Sequence, residues 1–357
     1  MKRNLVYLCC LLFLLFAFFA PTPSNASEKV TKLLFSSAWP PPPNVIGQPI
    51  DWFMNELEKR SNGRVKFEKH WGGSFTTGAE TLEHLKSGTI DMGGMAWLYN
   101  PGLTPVGMVE FGLPFGTTDI RMAQRVKKEF YKRSPEFQEE MKRYKIIPVV
   151  WLTSPARDLI TRFPVNSLDD LKGKKLGAAG NYLPKYVAAA GAVGAHAPMT
   201  EAYMMMDRGV IEGQLLHIDL IYAFKLYEVC KYYTRVGLAS TVYQLFGFNS
   251  DAFNRLPKDI QTLSMQISEE ADNYFCDWLE KQVAMMEEAL KKSGVRFNVL
   301  PKDDRAKWMK NLYNAPAIYA EELEKRGLPG WKMIRSYAEI MKEQGHVFPA
   351  DWELPKK

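Results

Sequence analysis

The residues of this chain that could carry out chemistry are few and scattered. Histidine occurs at positions 70, 84, 196, 217 and 346, and these positions show no metal-ligand spacing. The sequence contains no GxSxG, HExxH, P-loop or GxGxxG motif. Catalysis requires a nucleophile, a base and an orienting group within hydrogen-bond reach, and the sequence shows no such set. It therefore predicts a protein that is not an enzyme and that has no catalytic residue, metal site or cofactor.

Other residues are of the types that bind small organic molecules. Arg157 opens a predicted strand after "WLTSPA", where a guanidinium can hold a carboxylate through two parallel N–H donors. The alternative for Arg157 is an ion pair with Asp158. Trp97 and Tyr99 lie in a predicted loop, "WLYNPGL", and either form a pocket wall or pack between lobes. Met199 is a further candidate for a pocket wall because thioethers adapt to irregular ligands.

The first residues have the pattern of a secretory signal. Met1-Lys2-Arg3 precedes an apolar run from Leu5 to Ala20, which is followed by "PTPSNAS". This order of basic, apolar and small residues predicts a signal peptide at 1–26, cleaved after Ala26. An uncleaved N-terminal anchor is the alternative. We expect a mature protein in the periplasm that does not insert into the membrane.

Composition limits the partners of the mature chain. Its 331 residues are enough for about two domains, and its formal charge is +4 after the loss of Lys2 and Arg3. That charge is too small and too evenly spread to indicate nucleic-acid binding. The two remaining cysteines, Cys230 and Cys276, form either one disulfide or two buried free thiols.

The order of predicted elements indicates the architecture. "KLLFSSAW", "RVKFEKHW", "YKIIPVVWLT" and "RDLITRF" are predicted strands, and helical patterns alternate with them. This rhythm is typical of α/β lobes with mainly parallel sheets. From Lys258 to Lys292 there is no Gly or Pro, while Pro257 and Gly294 are start and stop signals. One unusually long helix, or two nearly continuous ones, is expected there.

Several motifs together resemble one family. "GAETLEHLKSGTIDMGG", "DLKGKKLGA", "EAYMMMDRGVIEGQ", "IYAFKLYEVCKYYT" and "FNSDAFNRLPKDIQ" occur in this order. The combination resembles the dicarboxylate-binding (DctP) type of solute-binding protein from tripartite ATP-independent periplasmic (TRAP) transporters. The resemblance extends from about Lys32 to beyond Gly294.

The resemblance implies a fold and a function. It implies an α/β, two-lobed periplasmic binding protein of type II-like architecture, with a long helix spanning both lobes. Lobe I would comprise 27–152 with part of 243–283, and lobe II would comprise 153–242 with the C-terminal helices in 284–357. The protein would capture a small organic ligand between the lobes and deliver it to the TRAP membrane permease subunits. A receptor for a membrane sensor and, less favoured, an exported enzyme using the same cleft are the alternatives.

The resemblance also identifies a modified binding site. The family's usual clamp arginine after "DLKGxK" is replaced by Gly177, while a second family arginine is retained as Arg157. Leu216-His217 replaces a usual Asn-Pro, and Met199 replaces a usual aromatic residue. The remaining ligand-binding residues implied by the family arrangement are Trp39, Trp97, Tyr99, Tyr182 and Tyr243.

These substitutions predict a change of ligand. Gly177, with the alanines at 178 and 179, would leave room for a bulky or aromatic monocarboxylate held by Arg157. A neutral or cationic solute is the alternative, and Lys185 is a possible replacement for the missing cation. His217 and Asp219 are expected to supply polar contacts.

Overall fold

The computed structural model describes residues 30–97 and 101–349, together with Trp352 and Leu354. In these ranges the strands are β1 (Thr31–Ser36), β2 (Val65–His70), β3 (Met92–Ala96), β4 (Ile146–Thr153), β5 (Arg157–Thr161), β6 (Lys175–Ala178), β7 (Val193–His196), β8 (Gly213–His217), β9 (Tyr232–Arg235), β10 (Val242–Asn249) and β11 (Arg296–Val299). The helices are α1 (Gly47–Arg60), α2 (Thr81–Ser87), α3 (Ile120–Arg133), α4 (Pro135–Arg143), α5 (Leu183–Ala189), α6 (Met199–Asp207), α7 (Ile218–Ala223), α8 (Ser250–Arg255), α9 (Lys258–Lys292), α10 (Lys302–Asn311), α11 (Ala315–Glu324) and α12 (Gly330–Glu343). Short 3-10 helices lie at Val106–Gly112, Leu168–Leu171 and Leu226–Glu228.

The strands form two sheets, which define two lobes. The first sheet has the order β2-β1-β3-β10-β4 and the second has the order β11-β9-β5-β8-β6-β7. In the first sheet β10 runs antiparallel to both of its neighbours, and in the second β5 does so. The other strands of each sheet share one direction, as the strand–helix rhythm predicted. The amino ends of β5 and β10 therefore lie at the same sheet edge as the carboxyl ends of their neighbours.

Two short segments carry the chain between the sheets. Residues 154–156 join β4 to β5, and residues 236–241 join β9 to β10. Backbone hydrogen bonds tie the two segments together: Ser154 N–H donates to Thr241 O at 2.8 Å, and Arg157 N–H donates to Ala239 O at 3.1 Å. The buried Asp158 carboxylate accepts the N–H groups that begin the second segment. These bonds make the crossing a defined pivot rather than two independent linkers.

Helix α9 is the third connection. It runs without a break over the 35 residues from Lys258 to Lys292, about 52 Å at 1.5 Å per residue, so the single-helix prediction is confirmed. Its first half buries Ile267 and Phe275 in the core of the first lobe. Its last turns bury Met286 and Leu290 in the core of the second. One helix therefore contributes side chains to both lobes.

The C-terminal helices contact both lobes. The predicted division placed 284–357 with the second lobe, and α10 does pack there, where the Trp308 indole N–H donates to Tyr186 O at 2.8 Å. Helix α12 instead packs on α3 of the first lobe, with the Tyr337 and Phe130 rings 5.4 Å apart. The structure thus places the last helix against the first lobe, and the remaining lobe boundaries stay a prediction.

Both cysteines are buried free thiols. Cys230 lies in the core of the second lobe and Cys276 in that of the first, so the two alternatives are resolved in favour of free thiols. Among the described helices, none combines the length and the apolar character that a membrane crossing requires.

Candidate functional site

A cavity of about 530 Å³ opens between the two lobes. It lies where the strands end: Ala96 closes β3, and His196 and His217 close β7 and β8. Arg157 and Tyr243 reach the same edge from the amino ends of the two antiparallel strands. Ligands of open α/β sheets commonly bind outside the carboxyl ends of the strands. The cavity therefore occupies the position that the sheet topology favours for a ligand site.

Arg157 is the buried cation of the cavity. It is 3% exposed, and its guanidinium donates to Thr241 Oγ1 at 2.8 Å and lies over the Phe111 ring at 5.4 Å. Among the described residues, no carboxylate forms an ion pair with it. Glu110 and Asp219 both attract it, but Glu110 is paired with Lys127 at 2.8 Å and Asp219 is hydrogen-bonded to His217 at 2.9 Å. Burial lowers the pKa of Arg157 to about 10. The alternative considered for Arg157, an ion pair with Asp158, is thus not formed, and most of the guanidinium donors remain available.

His217 and Asp219 form a second polar pair beside Arg157. His217 Nδ1 lies 2.9 Å from Asp219 Oδ1, and both side chains are buried. His217 is also the direct cross-strand partner of Arg157 in the β5–β8 ladder. Tyr243 completes this group, with its ring 5.8 Å from that of His217, and burial raises the pKa of the Tyr243 hydroxyl well above its usual range. The polar groups are therefore concentrated at the pivot end of the cavity.

The rest of the cavity wall is mainly apolar. Trp39 faces it from the first lobe, while Tyr182, Met199 and Leu216 face it from the second. The Tyr182 hydroxyl donates to Glu322 at 2.5 Å, so its ring rather than its polar tip is free to contact a ligand. Seven of the predicted site residues thus line one cavity: Trp39, Arg157, Tyr182, Met199, Leu216, His217 and Tyr243.

Trp97 does not line the cavity. Its side chain is fully buried, 5.7 Å from the Phe137 ring, and Lys127 Nζ lies 5.1 Å over its ring. The prediction of a ligand-facing loop aromatic is therefore wrong for Trp97, because β3 extends to Ala96 and directs the next residue into the core. Tyr99 lies outside the described residues, and its role stays a prediction.

Gly177 does not line the cavity either. A Cβ on Gly177 would lie 2.7 Å from both Ala197 Cβ and Ile211 Cδ1, so this position faces the core of the second lobe. The expectation that Gly177 itself leaves room for a ligand is wrong; the neighbouring Ala179 and Gly180 line the cavity instead. Lys185 is exposed and is not part of the wall, so it does not replace the clamp arginine.

Sequence reasoning missed several wall residues. These are Ile46, Met108, Asn181, His196, Leu220 and Phe224. Leu220 and Phe224 are four apart on and just past α7, a spacing that places them on one helix face. Because α7 starts directly after His217, that spacing could have predicted both residues as part of the cavity wall. Met108 lies in a 3-10 helix that no pattern predicted.

Two sheets joined at a pivot, with a cavity between them, define a two-lobed ligand-binding protein. Residues 35–322 match the bacterial extracellular solute-binding proteins of family 7. That range covers most of the chain, so this protein belongs to that family. The resemblance to the binding proteins of TRAP transporters is thereby confirmed, and such proteins bind substrates for transporters rather than acting as enzymes.

Individual relatives agree with the family. A solute-binding protein of Albidiferax ferrireducens is 23% identical over 258 residues, covering 72% of this chain and 75% of that protein. A TRAP solute-binding protein from Rhodoferax ferrireducens, solved with copurified benzoate, has a TM-score of 0.76 at 17% identity and covers 88% of this chain and 98% of that one. A marine metagenome TRAP protein specific for aromatic acids has a TM-score of 0.77 at 18% identity and covers 88% and 100%. At these identities the structural matches establish the two-lobed fold.

Proposed function

We propose that this protein captures a monocarboxylate with a bulky apolar or aromatic body and delivers it to a TRAP permease. The observation that carries the proposal is Arg157, a buried guanidinium at one end of a mainly apolar cavity with no carboxylate paired to it among the described residues. Buried charges are normally paired, because an isolated charge is costly in a low-dielectric site. A ligand carboxylate would supply the missing partner.

The shape of the cavity limits the rest of the ligand. Its volume of about 530 Å³ is within the usual range for small-molecule sites. With Trp39, Met199 and Phe224 in the wall, the body of the ligand would be surrounded by rings and aliphatic groups. Among the described residues, Arg157 is the only arginine or lysine in the wall, which favours one carboxylate over two. The benzoate and aromatic acids bound by the structural neighbours are ligands of this kind.

Delivery and location follow from the family. Extracellular solute-binding proteins work outside the cytoplasm, and the predicted signal at 1–26 would direct this chain to the periplasm. There the loaded protein would dock on the permease subunits, which would transport the ligand across the membrane. Neither step requires chemistry on the ligand.

The test is a binding screen of the mature chain, residues 27–357. Benzoate, phenylacetate and 4-methylpentanoate would be compared with their neutral amides by thermal shift and then by calorimetry. A ligand at 100 times its Kd stabilises the folded state by about 2.7 kcal/mol. We expect shifts with the acids and none with the amides; the reverse pattern would contradict the proposal.

Arg157 variants connect the screen to the structure. Arg157→Ala should weaken acid binding ten- to a hundredfold, since a charged hydrogen bond contributes about 1.5–3 kcal/mol. Arg157→Lys should recover only part of this, because lysine cannot form the two parallel bonds. Arg162→Ala is the matched control, because Arg162 is exposed just beyond the other end of β5. Equal affinity of wild type and Arg157→Ala would exclude the carboxylate contact.

A further inference from the structure

His217 has a geometry that a purely structural role does not require. Its Nδ1 is held by Asp219 Oδ1 at 2.9 Å, and a carboxylate on one ring nitrogen fixes the proton there. The other ring nitrogen, Nε2, makes no hydrogen bond within the described ranges, although the ring lines the cavity. In a neutral imidazole with Nδ1 protonated, Nε2 is an acceptor. With His217 in this neutral form, the cavity contains an acceptor rather than another donor.

The acceptor lies next to the proposed carboxylate site. Arg157 and His217 are directly opposed across the antiparallel β5–β8 pair, and such partners have Cβ atoms about 4.5–5.5 Å apart on one face of the sheet. Both side chains line the cavity. A ligand whose carboxylate contacts Arg157 can therefore place a substituent of its adjacent carbon within reach of His217.

The two groups have complementary requirements. The Arg157 guanidinium supplies donors only, whereas Nε2 of His217 requires a donor from the ligand. A bare carboxylate has no hydrogen to give, so binding it alone would leave the acceptor without a partner in a buried site, at a cost in free energy. A hydroxyl on the carbon beside the carboxylate satisfies both groups at once.

We infer that this protein is selective for 2-hydroxy monocarboxylates with an apolar or aromatic body, and that His217 is the residue that selects the hydroxyl. This inference rests on the proposed function in one respect, the placement of the carboxylate on Arg157. Asp219 acts as a positioning residue, since it holds the imidazole in the accepting tautomer.

The test uses two acid pairs, phenylacetate with mandelate and 4-methylpentanoate with 2-hydroxy-4-methylpentanoate, and the same two pairs as amides. Dissociation constants are measured by calorimetry for wild type, His217→Asn, Asp219→Asn and His70→Asn. Asparagine at 217 can place its amide nitrogen near the position of Nδ1 and keep the bond to Asp219, but it removes Nε2. His70 lies outside the cavity and also has a carboxylate partner, with its Nε2 3.0 Å from Glu68 Oε1, so His70→Asn is the matched control.

We expect wild type and His70→Asn to bind the hydroxy acid about tenfold more tightly than its deoxy partner. In His217→Asn that ratio should fall to within about twofold of one, because the hydroxy acids lose a hydrogen bond and the deoxy acids no longer leave a buried acceptor unpaired. Asp219→Asn should reduce the ratio as well, because the imidazole is then free to change tautomer. Circular dichroism verifies that each variant is folded.

The possible failures are distinguishable. The same hydroxyl preference in wild type and His217→Asn would overturn the inference, and so would equal binding of the hydroxy and deoxy acids by wild type. Both results leave the carboxylate contact with Arg157 intact. If only the amides bind, the proposed function fails, and the amide pairs then test the role of His217. A preference of wild type for the hydroxy amide that is lost in His217→Asn supports that role. The absence of any preference for the hydroxy amide in wild type rejects it.

Discussion

At the scale of single residues, Gly177 shows that an altered motif position need not alter the ligand cavity directly. The space beside Gly177 is filled by Ala197, Ile211 and the fully buried Gln214. The Cδ atom of Gln214 would lie 3.6 Å from a Cβ added at this position. A larger residue at 177 would have to displace these neighbours before it reached a ligand. Under the proposed function, ligand selection would therefore depend on Arg157 and His217 rather than on Gly177.

This packing makes a prediction about stability. Gly177→Ala should lower the free energy of unfolding by about 1–3 kcal/mol, the usual cost of overpacking, because its methyl group would lie 2.7 Å from two side chains. Urea unfolding measures the change. The matched variant is Ala179→Val on the cavity wall, which should weaken ligand binding and affect stability less. A Gly177→Ala protein as stable as wild type would show that the core at this position is not tightly packed.

At the scale of elements, α4 anchors the 3-10 helix Val106–Gly112, which carries the wall residue Met108. The buried Glu140 carboxylate accepts the N–H groups of Val106 at 2.7 Å and Gly107 at 2.9 Å. Burial raises the pKa of Glu140 to about 7, and these hydrogen bonds offset only part of the effect. The protonation state of Glu140 on α4 is thus linked to the 3-10 helix that carries Met108 in the cavity wall.

The sign of the resulting pH dependence follows from linkage. The folded protein holds the Glu140 proton more tightly than the unfolded chain, in which the carboxyl titrates near its ordinary value of 4.5. The contribution of this group to stability is therefore greatest below about pH 4.5 and is lost as the pH rises towards 7. Glu140→Gln should remove this decline, whereas Glu139→Gln, at the exposed neighbour, should retain it. Urea unfolding at several pH values measures both, and equal slopes in wild type and Glu140→Gln would refute the assignment.

The elements also show how far the sequence alone could predict the structure. Helix α9 was predictable from Lys258 to Lys292 because its apolar residues recur at helical spacing between Pro257 and Gly294. Strands were predictable for the same kind of reason, since alternation and strand length are local properties. Seven wall residues were predicted because the resemblance fixed their order along the chain.

The remaining site residues depended on non-local packing. Whether Trp97 faces a ligand or the core is decided by where β3 ends and by the position of Lys127 and Phe137, which are distant in sequence. Met108 was missed because it lies in a 3-10 helix anchored by Glu140 from α4. The sequence pattern within either segment does not predict such contacts between residues that are distant in sequence.

At the scale of the whole molecule, we expect the two lobes to close over a bound ligand. Because Arg157 lies at the pivot, its contribution to affinity would be separate from the closing motion. Its backbone is bonded to the other crossing segment through Ala239, so we expect it to move little when the lobes rotate. A ligand shifts the population towards the closed form only by its differential affinity for the two forms. A contact made equally in both forms raises affinity without driving closure, whereas the walls contributed by opposite lobes do drive it.

Small-angle scattering measures this difference. At saturating ligand, Arg157→Ala should show the same decrease in radius of gyration as wild type, although it needs more ligand to reach it. Trp39→Ala, which removes a first-lobe wall, should show a smaller decrease at saturation. If Arg157→Ala fails to contract at saturation, the guanidinium takes part in closure and the pivot interpretation is wrong.

Helix α9 has a consequence for how the molecule comes apart. Phe275 and Leu290 belong to the cores of different lobes but to one uninterrupted helix, so unfolding of either lobe removes the packing around one half of a helix that both lobes share. The two lobes should therefore behave as one cooperative unit on heating, despite their separate sheets. Stabilisation by a ligand bound at the pivot then extends to the whole chain, including the ends of both sheets that lie farthest from the cavity.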